Sequence, residues 1–218
     1  MSIRLPSAQP VRIPGPAGAL EALVETPEAA CSDAFAIVCH PHPLHGGTMQ
    51  NKVVHTVARA CQATDMPTVR FNFRGVGASE GGFNEGRGEM QDALAVIQWG
   101  RQRWPGASLT LAGFSFGAMV SIQAAPVARP ARLISVAPAV SRLAFSTIAA
   151  PSCPWLILQG DADELVDIRD VQAFAARFQP PPKLVVFPGG EHFFHRRLIE
   201  LRDQIVGFLR SATSEEAR

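Results

Sequence analysis

From residue 34 onward the chain alternates between two hydrophobic periods. Short continuous apolar runs bounded by Gly or Pro occur at "AFAIVCHP" (34–41), "TVRFNFRG" (68–75), "SLTLAGFS" (108–115), "RLISVAPA" (132–139), "PWLILQGD" (154–161) and "KLVVFPGG" (183–190). Runs of this length predict strands buried on both faces. Between most of them, apolar residues recur at helical spacing. Val53, Val54, Val57 and Cys61 form one stripe, and Met90, Ala93, Leu94 and Ile97 a second. Val171, Phe174 and Phe178 form a third, and Leu198, Leu201, Ile205 and Phe208 a fourth. The small residues of "FGAMVSIQAA" predict a further helix able to pack closely. Such alternation predicts an α/β fold, with a mostly parallel sheet and helices on both faces. Ahead of it, "VRIP" and "LEALVETP" (20–27), separated by "GPAGA", predict an antiparallel hairpin at one edge. The polar tail from about residue 211, "SATSEEAR", predicts a frayed end.

With 218 residues, 47% hydrophobic and 18% charged, the chain is long enough for one substantial core, and a single domain over 1–218 is expected. The formal charge is only +1, with both signs interspersed. That lacks the basic footprint of a nucleic-acid surface, so no nucleic-acid partner is expected. No apolar run approaches the roughly 20 residues that span a bilayer, and the first residues lack a signal-type apolar core. A soluble cytoplasmic protein with no membrane partner is the expectation. Cys31, Cys39, Cys61 and Cys153 are scattered without a CxxC pair and read as small hydrophobes. Oligomeric state leaves no mark in the sequence.

In an open parallel sheet, ligands bind beyond the carboxyl ends of the strands. The polar stretches there are "HPHPLHGG" (40–47), "RGVGASEGG" (74–82), "GFSFG" (113–117), "GDADELVD" (160–167) and "GGEHFF" (189–194). They are expected to converge on one edge. Within "GFSFG", Ser115 lies between Gly113 and Gly117, where a predicted strand turns into a predicted helix. A G-x-S-x-G turn in this context exposes the serine Oγ while the small flanking residues avoid their neighbours. Ser115 is therefore the candidate nucleophile, with a base and an orienting carboxylate required downstream. His192, between a strand and a helix, is the candidate base. Its rival His195 is expected in the first turn of that helix, facing elsewhere. The spacing G-x-x-D-x-x-V singles out Asp163 as the acid and leaves Asp161 as a turn residue. A calcium loop is excluded because Val166 occupies the position of the required glycine.

The ordered set of Ser115 in "GFSFG", Asp163 in "GDADELV", His192 in "GGEHFF" and the stretch "FNFRGVGASEG" (71–81) resembles the α/β-hydrolase superfamily over essentially residues 10–210. Within it, "HPHPLHGG" resembles small bacterial hydrolases related to dienelactone hydrolase, although dienelactone hydrolases proper use cysteine where this chain has Ser115. The resemblance implies an α/β-hydrolase fold and places the second oxyanion-hole N–H in the loop after the third strand. Pro41 and Pro43 have no N–H, which leaves His42 or Leu44. Alignment of His40 with the family's histidine at the strand end favours His42. The first donor is expected at Phe116, just after the nucleophile. Relatives with a cap carry it after the sixth strand, where only about a dozen residues follow Ala139 here. No cap domain is expected.

Two other readings fail on residue types. His40, His42 and His45 invite a metal, but no carboxylate or cysteine lies nearby in the loop to complete a tetrahedral set. The glycine-rich 74–88 segment has Glu80 where a dinucleotide loop starting at Gly75 needs glycine. Arg74 and Ser79 are expected to make structural hydrogen bonds. No metal and no cofactor are predicted. The expected partner is a small-molecule ester, small or moderately bulky, in an open cleft lined by Phe116, Leu44, Phe145 and Phe193. His192 would deprotonate Ser115, Asp163 would hold the imidazole, and water would cleave the acyl-enzyme. The same triad serves amidases, peptidases and acyltransferases, and the fold also suits a non-catalytic binding protein.

Overall fold

The computed structural model describes residues 7–30, 33–142 and 149–215. Two strands open the chain, β1 (Ser7–Gly15) and β2 (Gly18–Thr26), followed by β3 (Ala34–Cys39), α1 (Lys52–Gln62), β4 (Thr68–Phe71) and α2 (Arg87–Arg103). The order continues with β5 (Ser108–Phe114), α3 (Phe116–Ala128), β6 (Arg132–Val136), β7 (Trp155–Gly160), α4 (Ile168–Ala175), β8 (Lys183–Phe187) and α5 (Leu198–Glu215). Single-turn 3₁₀ helices occur at Pro43–His45 and Val140–Arg142.

The strands form one eight-stranded sheet in the order β1-β2-β4-β3-β5-β6-β7-β8. The predicted hairpin is the antiparallel pair β1–β2, and β2 joins β4 antiparallel. Every pairing from β4 through β3 to β8 is parallel. Strand parity sends the continuous apolar runs to two separate cores. Ile37, Leu111, Leu133 and Ile157 face a core shared with Val96 and Ile97 of α2, Ile122 of α3 and Phe174 of α4. Val38, Ala112, Ile134 and Leu156 face the opposite core with Val54 and Val57 of α1 and Leu201 and Ile205 of α5.

Helix caps also follow from the sequence. Asn51 Oδ1 accepts the Val53 N–H at 2.9 Å to start α1, and Asp167 Oδ1 accepts the Arg169 N–H at 2.8 Å to start α4. The "FNFRGVGASEG" stretch is a structural turn, as expected from its sequence. Arg74 grips the buried Asp92 of α2, with Nη2–Oδ1 at 2.7 Å, while Ser79 Oγ donates to the Asn72 carbonyl at 2.7 Å and accepts the Glu21 N–H at 2.9 Å. Between β6 and β7 the described residues contain only the 3₁₀ turn at Val140–Arg142. No helix among the described residues is long and apolar enough to cross a membrane.

Candidate active site

The loops leaving the carboxyl ends of β3, β5, β7 and β8 meet at one edge of the sheet. Serine is a preferred helix N-cap, and Ser115 does stand at the N-cap of α3. Its hydroxyl makes no capping bond. Instead Oγ lies 3.1 Å from His192 Nε2. The backbone there is strained, with φ 55° and ψ −114°. It is held by the Ser115 N–H donating to the Val136 carbonyl at 2.8 Å and by the Met119 N–H donating to the Ser115 carbonyl at 3.1 Å. The flanking glycines explain how strand and helix approach so closely. A Cβ at Gly113 would stand 2.5 Å from the Ala118 nitrogen, and one at Gly117 would stand 2.5 Å from the Cys39 carbonyl carbon.

His192 is buried in the loop after β8, its ring packed near Phe114 and Phe193 with centroids 5.0 and 5.1 Å away. Its Nδ1 meets Asp163 Oδ2 at 2.8 Å. The Asp163 carboxylate is saturated. Oδ1 accepts the Leu165 and Val166 N–H groups, both at 2.8 Å, and Oδ2 also accepts Gln159 Nε2 at 2.9 Å. Burial alone would raise its pKa, but the hydrogen bond and charge of His192, with the two backbone amides, outweigh that and hold it below the ordinary carboxylate value. The other two carboxylates of "GDADE" hold the histidine loop by its backbone. Asp161 Oδ1 accepts the Gly189 N–H at 2.6 Å, and Glu164 Oε2 accepts the His192 N–H at 3.2 Å. Asp161 is thus a turn residue, as the spacing predicted.

The neighbouring histidines have different roles. His40, fully buried, donates from Nδ1 to the Pro41 carbonyl at 2.7 Å and accepts the Phe73 N–H at Nε2 at 3.0 Å. This arrangement needs the neutral ring, and burial lowers its pKa to about 4. The His42 and His45 rings meet edge to face at 4.5 Å. Among the described residues no group of three His, Cys, Asp or Glu side chains is arranged to hold a metal ion. His195 lies in a turn ahead of α5, which begins only at Leu198, so its predicted place in the helix's first turn is corrected. It is exposed and pairs with Glu191 at 3.0 Å, away from Ser115.

A cleft of about 360 Å³ opens over Ser115, with Phe116, His42, Leu165, Val166 and Phe193 among its walls. Phe116 begins α3, so its N–H has no partner within the helix. Of the two candidates in the loop after β3, the Leu44 N–H is taken up by His42 Nδ1 at 3.2 Å. The expectation that Leu44 lines the cleft is corrected too. Its side chain, on the exposed turn Pro43–His45, is 67% accessible and borders a neighbouring hollow with Phe83, Glu85 and Met119. Phe145 lies outside the described residues. Leu165 and Val166 were missed as wall residues, though their position directly after Asp163 was a usable signal. Asn51, Ala139 and Ser141 also line the cleft and gave no signal beyond their loop positions.

A family model described as serine aminopeptidase, S33, matches residues 42–149. The uncharacterized protein RP471 of Rickettsia prowazekii (strain Madrid E) is 35% identical over 209 residues, covering 89% of this chain and 86% of that protein. Two solved structures are similar throughout. XC6422 of Xanthomonas campestris, described as an α/β serine hydrolase without lid, is 43% identical, with 97% of each chain covered and a TM-score of 0.90. An α/β serine hydrolase homologue of Coxiella burnetii is 46% identical, covering 94% of this chain and 98% of that one, with a TM-score of 0.88.

Proposed function

The chain belongs to the α/β-hydrolase superfamily, among its serine hydrolases, and on that footing we propose that it hydrolyses small or moderately bulky soluble esters through an acyl-enzyme on Ser115. The observation that carries this reading is the unbroken succession from Asp163 Oδ2 to His192 Nδ1 at 2.8 Å and from His192 Nε2 to Ser115 Oγ at 3.1 Å. His192 takes the Ser115 proton as Oγ attacks the ester carbonyl, and Asp163 holds the ring tautomer and stabilises the imidazolium. The oxyanion is held by the backbone N–H groups of Phe116 and His42. The imidazolium protonates the departing alkoxide. The neutral imidazole so formed then deprotonates the water that attacks the acyl-enzyme, and returns that proton to Ser115 as its Oγ leaves.

Two features favour esters over peptides with a free amino end. The cleft of about 360 Å³ lies at the small end of ligand sites, and among the described residues no lid element covers it. Its walls carry no carboxylate among the described residues, so an ammonium group would find no opposite charge there. The test is turnover of p-nitrophenyl acetate, with amide and thioester analogues alongside. Ester turnover and fluorophosphonate labelling, both abolished by Ser115→Ala with an unchanged thermal melt, are expected. Activity retained in Ser115→Ala would overturn the assignment, and preference for the amide would move it to the amidases.

A further inference from the structure

One polar residue interrupts the apolar run of β7 without being part of the reaction just described. Gln159 has the same strand parity as Trp155 and Ile157, which face the core shared with α4, yet it is fully buried and polar. Its amide nitrogen faces three oxygens: the Gly160 carbonyl at 3.1 Å, the Val166 carbonyl at 3.1 Å and Asp163 Oδ2 at 2.9 Å. All three are acceptors, so only the NH₂ end of the amide suits that side. Its Oε1 meets no donor among the described residues. An apolar side chain would avoid the unpaired Oε1, at the cost of the donor to the Gly160 and Val166 carbonyls. What the amide does and an apolar group could not is touch the oxygen that meets the His192 ring.

We propose that Gln159 is a positioning residue that acts through Asp163: it fixes the carboxylate plane and draws charge from the oxygen facing His192. The proposal rests on the Ser115–His192–Asp163 reading. One N–H reaches Oδ2, while the other is shared between the Gly160 and Val166 carbonyls. The amide thereby ties Asp163 to the strand end and to the loop that also supplies the Leu165 and Val166 amides. With Gln159 in place, Oδ2 divides its charge between two donors. Without it, the full charge faces the imidazole and favours the imidazolium. The ionisable groups around His192 are Asp163 and Glu164 from the loop after β7, Glu191 and His195 from its own loop, and His42 and His45 across the cleft. Of these, Gln159 bonds to Asp163.

The test compares wild type with Gln159→Leu, which keeps bulk and removes both donors, and Gln159→Glu, which keeps shape and replaces NH₂ by oxygen. For Gln159→Leu, kcat on p-nitrophenyl acetate is expected to fall about tenfold with KM within about twofold. The acid limb of its kcat/KM profile should move to higher pH by about half a unit or more. The titration midpoint of the His192 ring, followed by NMR without any substrate, should move the same way. Gln159→Glu should show the larger upward shift, because its carboxylate adds negative charge beside Asp163. A ring midpoint that stays put in both variants would refute the proposal, whatever happens to kcat. If Gln159→Leu does not fold, Gln159→Glu decides alone by the same measure. Because the NMR midpoint needs no turnover, its failure is distinct from failure of the ester reading, which would appear as absence of Ser115-dependent activity in the wild type.

Discussion

Adding one methyl group at Gly117 tests whether the close crossing of strand and helix is what presents Ser115. A Cβ there would stand 2.5 Å from the Cys39 carbonyl carbon and nearer still to the Cys39 and His40 carbonyl oxygens, whereas ordinary contact begins at 3.4 Å. The shortfall is about 1 Å, and it falls on backbone that cannot rotate away. Overpacking of this kind costs about 1–3 kcal/mol. Replacing glycine by alanine inside a helix returns about 0.5–1 kcal/mol. The net expectation is a loss of up to about 2.5 kcal/mol, or a Tm lower by up to about 10 °C for a chain of this size. The N-terminus of α3 must also shift, stretching the 3.1 Å approach of Ser115 Oγ to His192 Nε2. Misplacement on the order of 1 Å lowers kcat/KM by about 10²-fold. Gly207→Ala, exposed in α5 with nothing near the added atom, is the control and should gain about 0.5–1 kcal/mol. The assays are thermal melts and the rate of fluorophosphonate labelling. If Gly117→Ala melted and reacted like wild type, the account of the elbow would be wrong.

Further outcomes follow from the same geometry. Ser115→Gly should melt above Ser115→Ala by about 1 kcal/mol, since glycine alone relieves the strain at φ 55°; equal melts would count against strain. Asp163→Asn should lower kcat by about 10³–10⁴-fold, measured on the same ester, because the imidazole loses the partner that fixes its tautomer. The pKa of Asp163 is lowered in the folded protein, so its contribution to stability is present above the unfolded value near 4 and lost as pH falls through the folded value. Urea titrations at descending acid pH should therefore show a flatter decline in Asp163→Asn. His40 is also lowered, to about 4, from an unfolded value near 6.5. Its neutral form stabilises the fold above about pH 6.5, and this is lost as pH falls toward about 4. His40→Ala should cost about 1–3 kcal/mol at pH 7.5, by urea unfolding, and the difference from wild type should narrow across that window. Removing the buried Asp92 carboxylate by Asp92→Ala leaves the Arg74 guanidinium uncompensated and should cost about 3–5 kcal/mol.

Much of this protein is written in periodicity. Continuous apolar runs marked the parallel strands, because burial on two faces demands apolar residues at each strand position, and period-3.6 stripes marked α1, α2, α4 and α5. Turn chemistry marked the loops, and the order of Ser115, Asp163 and His192 marked where reacting groups would lie if the strand ends met. What the sequence alone determined is therefore local: which segments form strands and helices, which stretches turn, and which side chains can hold a proton. Tertiary structure decided the relations between segments far apart in the chain. Loop position already favoured His192 over His195, and the fold supplies the contacts that part them, one ring meeting Ser115 and the other Glu191. Leu44 is apolar and two residues after His42, yet a one-turn helix directs it to a different hollow. Gln159 reads as an oddity in a strand until Asp163 is folded back upon it at 2.9 Å. Sequence patterns record which surface is buried, summed over many residues. A site depends on a few directional contacts of about 3 Å between distant loops, and those angles are set by how the sheet twists and the helices dock.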